Sequence, residues 1–206
     1  MKIKNHCWKD SRGKADFVVV GDMDECLYSP VLEEELDYMR ENNMTLCGPV
    51  QYALCGDSFP EYTEGKLIHE LVTRAYVQKL NHSFNVTGKI MLFDPNRIAE
   101  MNYSPGCHSC RPTGEVKLYD KEHIFCIHTQ KGFGVEYKIK RFKELAARLS
   151  DNNKRHGYGL FYMNPESKIR NDYQKAINRS VSIPDDMEKR LNRSTSHEES
   201  RGSQRV

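Results

Sequence analysis

A run of apolar, mostly β-branched residues that ends in carboxylates is the feature that most restricts how this chain can fold. The run is Phe17–Gly21, and Asp22, Asp24 and Glu25 follow it directly. Such a run predicts a buried strand. Because side chains alternate between the two faces of a strand, Asp22 and Asp24 can point the same way at its carboxyl end. Ligands bind at that end in open α/β sheets, so the sequence predicts an acidic site there.

The chemistry of these residues favours a metal ligand. Carboxylate oxygens are the ligands that hard divalent cations such as Mg²⁺ and Mn²⁺ prefer. His128 ends the apolar segment 123–127, and a histidine at a strand end can reach into the same cleft as a third ligand for Mn²⁺. The alternative for Asp22 and Asp24 is an acidic turn, and the alternative for His128 is a hydrogen-bonded histidine of the core.

Length and composition exclude several classes of protein. The chain has 206 residues, enough for one domain with a substantial core. Its 31 basic and 29 acidic residues give a net charge of +2, so there is no electrostatic argument for nucleic-acid binding. We find no apolar run of transmembrane length and no signal-peptide apolar region, and therefore expect a cytoplasmic protein. The seven cysteines are scattered and odd in number, which favours reduced thiols.

Hydrophobic periodicity predicts a mixture of strands and helices along the chain. The clearest expected elements are strands at 16–21, 89–93 and 123–128 and helices at 31–42 and 135–149. From about residue 185 the chain is charged, rich in serine and arginine, and nearly free of apolar residues. That composition predicts a disordered polar tail over residues 185–206.

The second unusual stretch is a loop at 105–114 that is rich in cysteine, histidine, glycine and proline. Cys107 and Cys110 have Cys-x-x-Cys spacing, which is half of a zinc site. The candidates for the second pair of ligands are Cys126, His123 and His128. A small zinc-binding or structural module is therefore one hypothesis, and His108 as a polar group of an active-site loop is another.

Taken together, several stretches resemble the family-2-like GT-A glycosyltransferases, nucleotide-diphospho-sugar transferases of bacterial polysaccharide loci and some viruses. The resembling stretches, in chain order within residues 1–175, are Val18–Tyr28, Phe93–Asn96, Asn102–Cys110, His128, Glu136–Phe142 and Ala147–Ser150. The Asp-x-Asp element is common, whereas a Gly-x-His loop followed by a strand-end histidine and a basic helix is more specific. The resemblance implies an α/β fold with a GT-A-like (Rossmann-like) mixed sheet flanked by helices.

The resemblance also implies a role for each candidate residue. Asp22 would contact the donor ribose or the metal, and Asp24 would bind Mn²⁺ or Mg²⁺ directly. His128 would be the C-terminal metal ligand, and His108 would lie near the donor phosphates or the acceptor. Asp24 and Glu25 would be the catalytic residues, with Glu25 supporting the site. A sugar would pass from a nucleotide-sugar donor to a glycan or other acceptor, and the metal would neutralise the leaving diphosphate.

The chain departs from that family in the length that precedes Asp22. A GT-A domain normally begins with βαβ units that bind the nucleotide base, but here only 21 residues precede Asp22. We therefore expect a partial GT-A domain over residues 1–175, truncated at its N-terminus. The base-binding half would be missing or provided by a companion chain. Cys26 also stands where the family usually has phenylalanine.

A haloacid-dehalogenase-like phosphatase is the remaining hypothesis. In those enzymes Asp-x-Asp lies near the N-terminus, and its first aspartate, here Asp22, is the nucleophile. Asp57, after Gly56, could mimic their later Gly-Asp element, but that element should follow a lysine motif and come late in the chain. The usual Thr or Val four residues after the first aspartate is Cys26. We therefore favour the glycosyltransferase.

Overall fold

The computed structural model describes residues 2–58, 60–78, 86–87, 89–104, 107, 109–129 and 133–193. Over these residues the chain is a mixed α/β structure, so the expected class is confirmed. It divides into two units: unit 1 comprises Met1–Gln51, Gln78–Ile127 and Asp186–Val206, and unit 2 comprises Tyr52–Val77 and His128–Asp185. The domain expected over residues 1–175 therefore includes parts of both units.

Short strands follow one another through the middle of the described chain, and most of the longer helices come after them. The helices are α1 Lys2–His6, α2 Leu32–Glu41, α3 Ile68–Leu71, α4 Val135–Ala147, α5 Asp151–Arg155, α6 Glu166–Asn178 and α7 Ile183–Arg193, with 3-10 helices at Cys7–Ser11 and Leu160–Met163. The strands are β1 Val18–Val19, β2 Glu25–Tyr28, β3 Leu46–Cys47, β4 Val50–Leu54, β5 Arg74–Gln78, β6 Val86–Thr87, β7 Leu92–Phe93, β8 Ile98–Glu100, β9 Ser109–Cys110, β10 Thr113–Gly114, β11 Phe125–His128 and β12 Val181–Ser182.

Unit 1 contains a small antiparallel sheet in the order β1-β7-β3. Strand β7 is central, because Val18 of β1 and Leu46 of β3 both pair with Phe93. The amide of Val20 extends the pairing by donating to the carbonyl of Met91 at 2.8 Å. Two further antiparallel pairs, β8 with β10 and β6 with β9, belong to the same unit. The strand expected at 89–93 is thus reduced to β7.

The main core of unit 1 packs against this sheet. Its buried members are Trp8, Leu46, Ile90, Phe93, Ile98, Met101, Tyr103, Cys107 and Cys110. Trp8 meets Phe93 edge-on, with ring centroids 5.0 Å apart. Such an aromatic pair adds stabilisation beyond the area that it buries. The 3-10 helix at the N-terminus is therefore held to the sheet by a specific contact.

Helix α2 forms where its periodicity predicts it and is anchored by a buried carboxylate. Met39 is buried in a second core cluster of unit 1. On the same helix Glu35 is buried and accepts a hydrogen bond from the Tyr119 hydroxyl at 2.7 Å. The other carboxylate oxygen of Glu35 lies 2.6 Å from Nδ1 of His123. A buried carboxylate needs such partners, because leaving it unpaired away from water is unfavourable. His123, which we considered as a zinc ligand, is therefore the partner of Glu35.

The strand expected at 123–128 is present as β11, which is buried up to His128. In unit 1 it lies between β2 and the first residues of β4. The amide of Val50 donates to the carbonyl of Ile124 at 2.9 Å. Strands β3 and β4 lie on either side of Gly48 and Pro49.

Unit 2 joins short strands to a group of helices. Val181 of β12 pairs with Ala75 of β5. The helix expected at 135–149 is present as α4, whose Ile139 and Phe142 form a core with Ile169 of α6. Helix α6 lies in a part of the chain for which we predicted no helix or strand.

Helix α7 corrects the predicted C-terminal tail. We expected disorder from residue 185, but α7 extends to Arg193. The prediction is wrong over 185–193 because Ile183, Met187 and Leu191 recur every four residues, which gives a helix one apolar stripe. Ile183 and Met187 are buried. The remaining C-terminal residues lie outside those that the structure describes.

Within the described ranges, we find no helix with the length and apolar character that crossing a bilayer requires.

Candidate functional site

The predicted acidic site is the connection between β1 and β2 in unit 1. We call residues 21–25 the acidic loop; it carries Asp22, Asp24 and Glu25. Strand β1, which leads to it, is shorter and less buried than we predicted, and the side chain of Val19 is exposed. Strand β1 pairs antiparallel with β7 in a small sheet. An antiparallel sheet commonly packs one face on the core while the other face meets solvent, and side chains alternate between the two.

Glu25 fixes the backbone of the acidic loop. Its side chain is only 5% exposed. The Oε2 atom accepts a hydrogen bond from the amide of Asp22 at 2.9 Å. In return the amide of Glu25 donates to the carbonyl of Asp22 at 3.1 Å. The two residues therefore close the loop by reciprocal hydrogen bonds, and the carboxylate of Glu25 faces inward.

Lys89 completes the loop and is the residue that sequence reasoning missed. Its Nζ lies 2.5 Å from Oδ2 of Asp22 and 2.5 Å from Oε2 of Glu25. The side chain is 3% exposed, a position that a lysine occupies only when it is paired. Burial disfavours its charged form, but the hydrogen bonds to Asp22 and Glu25 outweigh that effect and raise the pKa of Lys89. The raised pKa of Lys89 favours the charged form of this buried side chain.

Asp22 is ion-paired with two lysines. Its Oδ1 accepts from Lys4 and its Oδ2 accepts from Lys89. Burial acts to raise the pKa of Asp22, but the hydrogen bonds and charges of the two lysines reverse this, and the pKa is lowered. The side chain stays 45% exposed, so a ligand can reach it. Asp22 is thus a stable carboxylate at the surface of the loop.

The donor chemistry of the predicted metal ligands fits a hard cation only in part. Asp24 is half-buried in the acidic loop of unit 1, and His128 is half-buried at the end of β11 in unit 2. A carboxylate and an imidazole suit Mn²⁺. Asp22 fits only if it exchanges a lysine for the metal, because both of its oxygens are engaged. Within the part of the chain that the structure describes, no three His, Cys, Asp or Glu side chains are grouped to hold a metal ion.

The two residues of the Cys-x-x-Cys pair are buried in the core of unit 1. Burial raises the pKa of the Cys110 thiol to about 11 and also raises that of Cys107. Burial likewise raises the pKa of Cys126, another predicted zinc ligand, to about 12. Protonated thiols in an apolar core are poor metal ligands, since zinc binds the thiolate. By contrast, Cys7 and Cys26 are exposed. His108 lies outside the described residues.

The acidic loop and the neighbouring Lys4 offer two kinds of binding group. The exposed carboxylate of Asp22 accepts hydrogen bonds, as from sugar hydroxyls. Lys4, next to it, carries three donors that suit phosphate oxygens. Lys89 could not be found by pattern reading, because it is 67 residues from Asp22 in the chain. Its only signal is a lysine placed directly before the apolar segment 90–93.

Comparison of the chain with protein-family models, with curated proteins and with solved structures finds no match.

Proposed function

We propose that this chain is a GT-A-type glycosyltransferase, which transfers a sugar from a nucleotide-diphosphate donor to a glycan or other acceptor. The observation that carries the proposal is the ionised, solvent-accessible Asp22, held between Lys4 and Lys89 at the start of the acidic loop. Support also comes from the order of the Asp-x-Asp, Gly-x-His and strand-end histidine elements along the chain.

In this proposal Asp22 binds the ribose of the donor. Asp22 is anionic at neutral pH, since its pKa lies below the ordinary value of 3.8, and it accepts hydrogen bonds from hydroxyl groups. Glu25 and Lys89 hold the loop in its binding shape before the donor arrives. A preformed site loses less entropy on binding, and its dipoles need not reorganise during the reaction.

Asp24 would hold Mn²⁺ or Mg²⁺, with Asp22 as a further ligand once it exchanges a lysine. When bound, the metal would neutralise the diphosphate that leaves the sugar. His108 would lie near the donor phosphates or the acceptor. Lys4 donates to Oδ1 of Asp22 and would compete with a ligand for that oxygen.

Thermal melting tests this proposal. The protein is melted with UDP, GDP and related nucleoside diphosphates, each with and without Mn²⁺. We expect a nucleotide-dependent rise in melting temperature that requires Mn²⁺ and disappears in Asp24→Asn. The matched control is Asp16→Asn, which removes an exposed carboxylate outside the acidic loop and should leave the rise intact. No rise with any nucleoside diphosphate, or an unchanged rise in Asp24→Asn, would contradict the proposal.

A phosphatase is the second candidate, favoured by the same ionised Asp22. A carboxylate nucleophile must be deprotonated, and two neighbouring ammonium groups would attract a phosphate. In that reaction an Asp22 oxygen bonds to phosphorus while the ester oxygen leaves, forming an aspartyl phosphate. Turnover of a chromogenic phosphate ester that Asp22→Asn abolishes would favour this candidate over the transferase. We expect no such turnover.

A further inference from the structure

The segment 154–163 of unit 2 exposes several large apolar side chains close together. Tyr158, Leu160, Phe161 and Met163 are between 45% and 58% exposed. We call residues 154–163 the exposed turn. An exposed apolar patch that is rimmed by polar residues marks an interaction site.

The exposed turn packs against α4 through part of its 3-10 helix. It contains the 3-10 helix Leu160–Met163, in which side chains three residues apart share a face. Leu160 and Met163 therefore occupy one face and Phe161 a second. The third face is that of Tyr162, whose ring packs on Phe142 of α4 at 5.2 Å. The Phe161 ring also meets Phe142 edge-on, with centroids 5.9 Å apart, but it stays 54% exposed. The turn therefore presents Leu160, Met163 and part of Phe161 to solvent.

Two glycines shape the backbone of the exposed turn. Gly157 and Gly159 both have φ of 75°, a left-handed conformation that favours glycine. A Cβ on Gly159 would lie 2.8 Å from Cδ2 of Leu149, so the turn approaches the end of α4 closely. Tyr158, between the two glycines, stacks on His156 with centroids 5.9 Å apart. The conformation of the turn therefore depends on these two glycines.

Positive charge is concentrated on the same part of the chain. Residues 135–179 contain eleven lysines and arginines against five acidic residues, whereas the whole chain is nearly balanced at 31 against 29. The exposed turn itself has Lys154 and Arg155 and no acidic residue. Lys154 reaches Asp151 only at 3.8 Å, and Arg155 makes no ion pair with any residue that the structure describes.

We infer that the exposed turn docks this chain onto an anionic membrane surface. Leu160, Phe161 and Met163 would enter the boundary between headgroups and acyl chains, while Lys154 and Arg155 would contact lipid phosphates. Aromatic and aliphatic side chains beside basic residues are the composition of interfacial membrane anchors. The positive charge of Lys154 and Arg155 favours an anionic surface. This inference does not depend on the proposed function.

Vesicle flotation of the full chain tests the inference. Vesicles of phosphatidylcholine alone are compared with vesicles that also contain phosphatidylglycerol, at low and at high salt. We expect binding to the anionic vesicles only, weakened by salt. Each basic residue near an anionic surface contributes roughly fivefold in affinity, so Lys154→Glu with Arg155→Glu should weaken binding at least about tenfold. Leu160→Ser with Phe161→Ser should weaken it by a similar factor.

Two control variants match these changes. Tyr62→Ser removes an exposed aromatic ring of unit 2 elsewhere, and Lys14→Glu with Lys189→Glu changes the net charge equally at exposed positions of unit 1. Both should bind anionic vesicles like the unchanged protein. Melting temperatures check that each variant folds, and the charge pair keeps the test valid if the apolar pair is destabilised. The inference is overturned by equal binding to both kinds of vesicle or by no binding. It is also overturned if light scattering shows self-association that Leu160→Ser with Phe161→Ser abolishes, without vesicle binding.

Discussion

Lys89 and Glu25 form a buried ion pair, with 2.5 Å between Nζ and Oε2 and with side chains only 3% and 5% exposed. The same Oε2 atom accepts the amide of Asp22, so the pair also sets the shape of the acidic loop. Isolated buried charges are strongly unfavourable, so each partner depends on the other.

Lys89→Met should therefore destabilise the protein markedly. The change keeps an unbranched side chain but leaves the buried carboxylate of Glu25 without its cation. Removing one partner of a buried pair lowers the free energy of unfolding by about 3 kcal/mol or more. Urea denaturation measures the loss. Lys14→Met, at an exposed lysine of the same unit, is the control and should change little. A loss as small as that of the control would mean that Glu25 is solvated without Lys89.

Asp22 should make stability depend on pH in the acid range. Its pKa in the folded protein is lowered from the ordinary value of 3.8, so its ion pairs stabilise the fold fully above that value. The contribution is lost as the pH falls through the lower pKa of the folded state, because the carboxylate is then protonated. Asp22→Asn should therefore show a shallower loss of stability upon acidification. Urea midpoints at a series of acid pH values measure it.

The control for that series is Asp16→Asn, an exposed carboxylate outside the acidic loop. It should follow the unchanged protein at every pH. If Asp22→Asn also follows the unchanged protein, the lysines do not perturb Asp22 in solution.

Removing the carboxylate of Glu35 should release helix α2 from its anchor. Glu35→Ala leaves the hydroxyl of Tyr119 and Nδ1 of His123 without their buried acceptor. We expect the free energy of unfolding to fall by about 3 kcal/mol. Tyr119→Phe, which removes one hydrogen bond to a charged group, should lower it by about 2 kcal/mol. Glu34→Ala, at an exposed position of the same helix, is the control, and chemical denaturation compares all three. A Glu35→Ala loss no larger than the control's would rule out this anchoring role.

The two glycines of the exposed turn should respond differently to alanine. Both have φ of 75°, so alanine is strained at each by about 1 kcal/mol. Gly159→Ala also places its Cβ 2.8 Å from Leu149, whereas a Cβ on Gly157 would have nothing within 4 Å. Gly159→Ala should therefore lower the melting temperature more than Gly157→Ala. Equal effects would indicate that Leu149 moves aside readily.

Sequence patterns correctly predicted the elements whose structure depends on the spacing of nearby residues. Helices α2 and α4 were predicted because their apolar residues recur at helical spacing, and that spacing requires burial of one face. Strand β1 was predicted as buried, but an apolar run does not reveal whether both faces of its sheet are covered. Helix α7 was missed because most of its residues are charged or polar, and we judged this segment by its composition instead of by the spacing of its three apolar residues.

The candidate site was predicted only as far as its acidic residues. Asp22, Asp24 and Glu25 stand together in the sequence, so a loop that contains them was visible. Their positive partner was not, because Glu25 and Lys89 are 64 residues apart and only the folded chain brings them together. A buried lysine also looks like a surface lysine in a sequence, since its burial depends on partners that no local pattern encodes.

The different exposure of the cysteines allows a label to be attached selectively beside the acidic loop. Cys7 and Cys26 are exposed, while the other thiols are buried. A maleimide reagent in the folded protein would therefore attach to those two positions, and Cys7→Ser would leave Cys26 as the one reactive site among the cysteines. Cys26 follows Glu25 directly, so a fluorophore attached there would sense changes in the loop without any engineered cysteine.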